Sequence, residues 1–272
     1  VLFERRELPL RGLHPALAGL TIAHLSDVHC SPIMPPRSLR RYVERVNAAE
    51  PDFVVVTGDF ITARQKNYAR RAAAVTGALA PRIATLAVLG NHDYGVWTPR
   101  LHSPSPGLAR FLADEFRRHG VVLLRNDSYI FRRGGGWLNF VGVGDLWSRD
   151  YHPMQAFEHV PPRRPVIALC HNPDAAQELA DLGASYVLCG HTHGKHVTET
   201  PLNDLLCPVA HRHFVAGHYP LGRGRGVYVN RGLGPARRLH ANSRPEITLF
   251  TLRSAPAPAS KPIAKGLLPR HS

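Results

Sequence analysis

The chain carries short, uninterrupted apolar runs separated by segments with a helical period. TIAHLS (21–26), FVVVT (53–57), IATLAVL (83–89), VIALC (166–170) and YVLC (186–189) are rich in Val, Ile and Leu and do not alternate with polar residues. Continuous runs of this length predict strands covered on both faces, as in the sheet of an α/β protein. Between them, Leu39, Tyr42, Val43 and Val46 follow i, i+3, i+4, i+7 spacing behind Ser38, which predicts a helix capped by that serine. Comparable segments run over about 67–80, 107–119 and 173–182. The result is β-α alternation with short connections.

From residue 121 the pattern changes. VVLLRNDSYIFRRGGGWLNFVGVGD reads as two apolar runs about a turn at Gly134, Gly135 and Gly136, and so as an antiparallel hairpin. GVYVN (226–230) and EITLFTL (246–252) supply late strands. Residues 1–252 are expected to form one domain, and the Pro/Ala-rich stretch 253–272, which has little to bury, a mobile tail.

At 272 residues, 44% hydrophobic and 20% charged, the composition excludes a largely disordered or fibrous protein. Lys and Arg total 34 against 20 acids, a formal charge of +14 that points to an anionic partner: a phosphorylated substrate, a membrane surface or nucleic acid. Cys30, Cys170, Cys189 and Cys207 lie far apart without a CxxC pair, so neither a disulfide framework nor a thiolate zinc site is expected, and a reducing compartment fits. No apolar run approaches the roughly 18 residues that span a bilayer. A cytoplasmic or membrane-associated protein is expected, or an exported one if a signal upstream of Val1 has been removed.

The chemistry stands at the C-terminal end of each buried run. The first ends in Asp27-Val28-His29, the second in Gly58-Asp59, the third in Gly90-Asn91-His92-Asp93, the fourth in His171-Asn172 and the fifth in Gly190-His191-Thr192-His193. Open α/β sheets place ligands at this edge. Each motif alone also reads as a turn or a cap; five in succession read as a site. Two Asp, one Asn and four His make an oxygen and nitrogen set suited to Mn²⁺, Fe, Zn²⁺ or Co²⁺. Seven ligands exceed what one catalytic ion with an open position accepts, but they suit two ions sharing a carboxylate, the arrangement for in-line displacement at phosphorus.

With these blocks in order, residues from about 20 to 252 resemble the calcineurin-like metallophosphoesterase superfamily, whose pattern is D-x-H, GD, GNH(D/E), H and GHxH. The resemblance implies a four-layer α/β/β/α sandwich of two mixed sheets flanked by helices. It implies Asp27, His29 and His193 on a first metal, Asn91, His171 and His191 on a second, and Asp59 bridging, with His92 protonating the leaving oxygen. LSDVHCSP, GNHDY, LCHNPD, GHTHG and YVNRGLGPARRLHANSRPEITLFTL are similar to a bacterial branch that includes UDP-2,3-diacylglucosamine pyrophosphatases. Where that branch shows Gly-Gln after GHTHG, this chain has Lys195-His196, which with Arg231 are candidate substrate contacts.

Arg223, Arg225, Arg231, Arg237 and Arg238 crowd a Gly-rich segment, where guanidinium groups can receive phosphate oxygens or form a solvated basic loop. Trp97 and Trp147 follow two of the motifs and are candidates to stack on a base or acyl chain, with ordinary loop packing the alternative. The expected activity is hydrolysis of a phosphodiester or pyrophosphate bond by a metal-bridging hydroxide, with Mn²⁺ as the expected metal. The expected substrate is a phosphorylated small molecule or a nucleotide-linked lipid such as UDP-2,3-diacylglucosamine, with peripheral contact to an anionic membrane. A nuclease and a non-catalytic scaffold are the alternatives; nucleic acid is disfavoured because no recognition motif is present.

Overall fold

The computed structural model describes residues 1–62, 64–98, 105–194, 213–234 and 244–255. Its strands are β1 (Leu2–Arg11), β2 (Thr21–Leu25), β3 (Phe53–Thr57), β4 (Ala84–Val88), β5 (Val122–Leu123), β6 (Asp127–Arg133), β7 (Gly136–Gly142), β8 (Val166–Leu169), β9 (Tyr186–Cys189), β10 (Gly217–Pro220), β11 (Gly226–Val229) and β12 (Glu246–Ala255). The helices are α1 (Pro36–Asn47), α2 (Lys66–Gly77), α3 (Pro106–Arg118), α4 (Pro153–Phe157) and α5 (Ala176–Asp181). One sheet has the order β1-β12-β2-β3-β4-β5 and the other β10-β11-β9-β8-β7-β6. Both are mixed: β2, β3 and β4 are parallel while β12 opposes β2, and β7, β8, β9 and β11 are parallel between antiparallel edges β6 and β10.

Strand β3 shows why the apolar runs do not alternate. Phe53 and Val55 enter a core with Leu86, Val88, Phe140, Ile167, Leu188 and Phe250, which lies between the two sheets. Val54 and Val56 enter a second core with Ala69, Ala72, Leu112 and Phe116, beneath α1, α2 and α3. A third core joins Val141, Ala168 and Val187 to Leu179 and Ala180 of α5. Successive side chains on a strand face opposite ways, so a strand between two cores must be apolar at every position. Three cores between four layers make the α/β/β/α sandwich. Each fully buried Val or Phe contributes about 1.5–3 kcal/mol of transfer free energy, so these strands anchor the layers.

Several boundaries differ from expectation. Helix α1 begins at Pro36 behind Pro35, with no side-chain cap, so Ser38 is an interior residue rather than the cap. Proline at the first helical position supplies the required φ and loses no internal hydrogen bond, which starts the helix ahead of the serine. Residues 173–181 split into a 3-10 turn, Pro173–Ala175, and the short α5. The hairpin β6–β7 forms as expected, with Gly134 at φ 54° and Gly135 at φ 81° as its two turn residues, the left-handed pair that a tight type I′ connection needs. Strand β1 is hidden in the sequence by its ERRE run; Leu8 and Leu10 are its fully buried positions, and it pairs in parallel with β12 along its whole length. That pairing carries β12 past residue 252 to Ala255.

The direction of the strands places the chemistry. The C-terminal ends of β2, β3 and β4 in one sheet and of β8 and β9 in the other reach the same edge of the sandwich, where their loops meet.

Candidate metal centre

Each strand end turns sharply. Asp27 (φ 51°), His29 (φ 48°), Asp59 (φ 55°), His191 (φ 74°) and His193 (φ 56°) all have left-handed backbone, a region that Asp and His enter more readily than most residues but at a cost of order 1–3 kcal/mol each. Hydrogen bonds lace the loops: the Asp27 amide donates to the Gly58 carbonyl at 2.9 Å, and the His29 amide to the Asp59 carbonyl at 2.9 Å. Gly58 is at φ 85°, and a Cβ on it would stand 2.6 Å from the Gly90 backbone nitrogen. Only glycine lets the second and third loops approach this closely.

Two groups of side chains result, Asp27 with His29 and His193, and Asp59 with His171 and His191. In the first, His193 Nε2 lies 3.3 Å from Asp27 Oδ1 and His29 Nε2 lies 3.1 Å from His193 Nε2. In the second, His171 Nε2 lies 3.2 Å from Asp59 Oδ2 and 3.1 Å from His191 Nδ1. Ligands held at about 2.0–2.2 Å around one ion stand roughly 3–3.5 Å apart, so both groups have the spacing of a coordination shell. The rings are fixed from behind. His171 Nδ1 donates to the Thr57 carbonyl at 2.8 Å, which leaves Nε2 as the ring atom that faces the site. His29 Nδ1 meets the Thr62 hydroxyl at 2.9 Å and likewise leaves Nε2 inward.

Asn91 Oδ1 is buried without a hydrogen bond, although its Nδ2 donates to the Val96 carbonyl at 2.8 Å; Asp27 Oδ2 accepts the His191 amide at 3.1 Å while its Oδ1 faces the His193 and His29 rings at 3.3 and 3.7 Å. A buried acceptor without a partner costs about 1–3 kcal/mol. An acceptor of this kind beside converging imidazole nitrogens fits a bound divalent cation.

The electrostatics agree. Burial alone would push Asp27 up, but His193 and His29 hold it well below the usual carboxylate range; for Asp59 the opposing groups are His171 and His92. Burial likewise pulls His171 and His29 down, and the two carboxylates outweigh it and raise both. His191, beside His171, is pushed down by burial to about 3. The carboxylates thus stay ionised inside the protein, where a divalent cation displaces protons from the imidazoles.

His92 stands apart from both groups. Its Nε2 is 3.9 Å from Asp59 Oδ2, and its amide donates to Asp59 Oδ1 at 3.0 Å. Its pKa is lowered, chiefly by burial. Its ring meets those of His29 and Trp97 edge-on, with centroids at 5.2 and 4.8 Å. Trp97 is 49% exposed, and Trp147 meets His191 edge-on at 4.5 Å, so an indole flanks each of two site histidines. Cys30, Cys170 and Cys189 are buried free thiols in the hydrophobic cores, as strand alternation predicts for neighbours of inward ligands.

Asp93, part of the third motif but given no role of its own by the sequence, and Asp145, which the sequence reading missed, also belong here. Asp93 is fully buried; its Oδ1 accepts the amides of Phe60 and Ile61 at 3.0 and 3.2 Å, and its Oδ2 that of Gly90 at 2.9 Å. It clamps the loops after β3 and β4 together. Asp145 is buried, raised to about 7 by burial, and accepts the Trp147 amide at 2.9 Å. The signal for it was present: Gly144-Asp145 follows β7 as Gly58-Asp59 follows β3.

Of the candidate substrate contacts, Lys195 and His196 lie outside the described residues, as do Arg237, Arg238 and Cys207. Arg231 is paired with the fully buried Glu246, which also accepts the Tyr228 hydroxyl at 2.6 Å. Arg223 and Arg225 precede β11 and therefore lie at the edge away from the strand ends that carry the site. The Gly-rich segment approaches the site through its glycines instead: the Gly234 amide donates to the Asp27 carbonyl at 2.6 Å, and a Cβ there would stand 2.7 Å from the His29 ring.

Comparison with known proteins agrees with this geometry. A family model described as calcineurin-like phosphoesterase matches residues 20–195. The chain is 29% identical to phosphodiesterase YaeI of Escherichia coli, over 86% of this chain and 83% of that one. It is 27% identical to the UDP-2,3-diacylglucosamine pyrophosphatase LpxG of Chlamydia trachomatis, over 89% and 86% of the two chains. Among solved structures, the NAD nucleotidase NadN of Haemophilus influenzae superposes with a TM-score of 0.50 at 15% identity, over 79% of this chain and 50% of that larger one, a likeness of fold.

Proposed function

Because the chain belongs to the calcineurin-like phosphoesterase family and is a phosphoric ester hydrolase, we propose that it cleaves a phosphodiester or pyrophosphate bond at a dinuclear metal centre. Asp27, His29 and His193 would hold one divalent ion and Asn91, His171 and His191 the other, with Asp59 shared and Mn²⁺ the occupant of both. One observation carries the reading: Asp59 Oδ2 stands 3.2 Å from His171 Nε2 and 3.6 Å from His29 Nε2, so one carboxylate oxygen faces both groups. Bound divalent ions neutralise the oxygens of an anionic ester and acidify water to hydroxide near neutral pH.

The protein's own groups supply the rest. Thr57 and Thr62 hold the rings of His171 and His29, so the ligand set is ordered before substrate arrives. His92, beside Asp59 but outside the two groups, delivers a proton from Nε2 to the departing oxygen. Trp97 and Trp147 offer faces to a base or an acyl chain. The names of two similar proteins, a phosphodiesterase and a UDP-2,3-diacylglucosamine pyrophosphatase, support a diester or pyrophosphate over a monoester, with a nucleotide-linked lipid as the substrate class.

The test is hydrolysis of bis(p-nitrophenyl) phosphate beside p-nitrophenyl phosphate by stripped protein titrated with Mn²⁺, followed by UDP-2,3-diacylglucosamine. Metal-dependent cleavage of the diester in preference to the monoester, saturating at two ions per chain, is the expected result. Saturation at one ion would overturn the dinuclear reading, and preference for the monoester would overturn the substrate class.

A further inference from the structure

The edge opposite the candidate metal centre carries a second concentration of charge. Strands β8, β9 and β11 run parallel toward the metal edge, so the residues that precede them lie at the far edge: Arg163 and Arg164, Ser185, and the turn Arg223-Gly224-Arg225. Strand β12 opposes β2, so its end at Ala255, paired with Arg11 of β1, arrives at the same place. Together they line an open cleft of about 580 Å³ whose walls hold, among the described residues, Arg11, Arg163, Arg164, Arg223 and Arg225 and no acidic residue. This volume falls within the range of about 300–1,000 Å³ typical of small-molecule sites.

The guanidinium groups are tethered. Arg11 Nη1 donates to the Arg223 carbonyl at 3.0 Å, and its stem packs on Gly224, where a Cβ would come within 3.0 Å of it. Arg225 donates to the Ala180 carbonyl and pairs at 3.0 Å with Asp181, an exposed acid outside the cleft lining. Arg164 lies over the Trp137 ring at 5.6 Å. Among the described residues, no carboxylate comes within 4 Å of a guanidinium nitrogen of Arg11, Arg163, Arg164 or Arg223. The sequence that follows Ala255, residues 256–272, contains Lys261, Lys265 and Arg270 and no acid.

Arginine does not deprotonate in proteins, so this repulsion is not relieved by losing protons; an anion relieves it. The guanidinium fork matches phosphate oxygens in pairs, and a concave wall focuses the field of its charges. We propose that this cleft is a second binding site, remote from the metal centre, for the phosphate groups of a multiply charged ligand. The ligand is either a soluble phosphate compound or the headgroup of an anionic phospholipid, and the inference is independent of what the metal centre hydrolyses.

The test compares wild type, Arg163→Glu/Arg223→Glu and Arg163→Lys/Arg223→Lys in two assays, calorimetric titration with inorganic pyrophosphate and co-sedimentation with phosphatidylglycerol/phosphatidylcholine vesicles. Binding of pyrophosphate at the metal centre is common to all three proteins and cancels in the comparison. Charge reversal is expected to weaken one of the two probes at least about tenfold, about 1.4 kcal/mol, while the lysine pair retains most of the binding. A change with pyrophosphate identifies a soluble ligand, and a change confined to vesicles a headgroup. Should the glutamate pair lower the thermal unfolding midpoint, Arg163→Gln/Arg223→Gln is read in the same way. Equal binding by wild type and variant, or binding of neither probe by wild type, would overturn the proposal.

Discussion

Asp59 Oδ2 stands 3.2 Å from His171 Nε2, although the two residues belong to different sheets and are separated by more than one hundred positions in sequence. The contact joins the two halves of the sandwich at the edge where the strands end. It makes Asp59 the residue whose loss is felt by every other part of the site.

Asp59→Asn keeps the size of the side chain and removes its charge. Both bound metal and turnover are expected to fall together, the first read by elemental analysis of the purified protein and the second by diester hydrolysis. A variant that kept two ions per chain would show that Asp59 does not hold them.

For His92 the expectation is the opposite split. His92→Ala leaves the two ligand groups intact, so metal content is expected to match wild type while kcat falls by about 10²–10⁴, the usual contribution of a positioned acid or base. Undiminished turnover would remove His92 from the chemistry.

Asp93 acts through backbone. Its replacement by Ala strands the buried amides of Phe60, Ile61 and Gly90, each loss costing about 1–3 kcal/mol. A drop of several kcal/mol in unfolding free energy is expected in urea titrations, measured on stripped protein so that lost metal binding does not contribute. A drop below 1 kcal/mol would mean that the loops are held by other contacts.

His24, outside both candidate ligand groups, gives a further pH dependence, best measured on stripped protein because Asp27 raises its pKa against burial. It is fully buried on β2, its Nε2 meets the Thr57 hydroxyl at 2.9 Å, and burial holds its pKa at about 3. The unfolded chain takes up this proton as pH falls through about 6.5, the folded chain only near 3, so stability is full above pH 6.5 and declines between those values by about 1.4 kcal/mol per pH unit. His24→Gln retains a polar partner for Thr57 and does not titrate. In urea titrations at pH 5 and pH 7.5 its stability is expected to change less than that of wild type by roughly one proton's worth. Equal changes in the two proteins would show that His24 is not buried neutral.

The strands and the two clusters of Asp and His side chains were legible because each depends on neighbours in sequence. A strand between two cores has to be apolar at every position, and β3, β8 and β9 say so in four or five letters. Glycine beside Asp or His at the end of such a run marks a backbone that must turn sharply, and Gly58-Asp59 and Gly190-His191 carry that mark. Strand β1 was not legible, because four consecutive charged residues, Glu4 to Glu7, interrupt its apolar pattern and its partner β12 lies more than two hundred residues away. The place of Arg223 and Arg225 was not legible either: Gly232 and Gly234 follow them closely in sequence, but a strand of four residues, β11, carries the chain across the sandwich between them.

The sequence by itself determined the layers, the order of the motifs and the donor type of each candidate ligand, since burial pattern and donor atoms are properties of local residues. The tertiary structure decided which candidate ligands share a group, that Asp59 faces both, that Asp93 clamps two loops, and that the arginines of three separate segments gather at the far edge. Those relations are set by strand direction and sheet order, where residues distant along the chain meet.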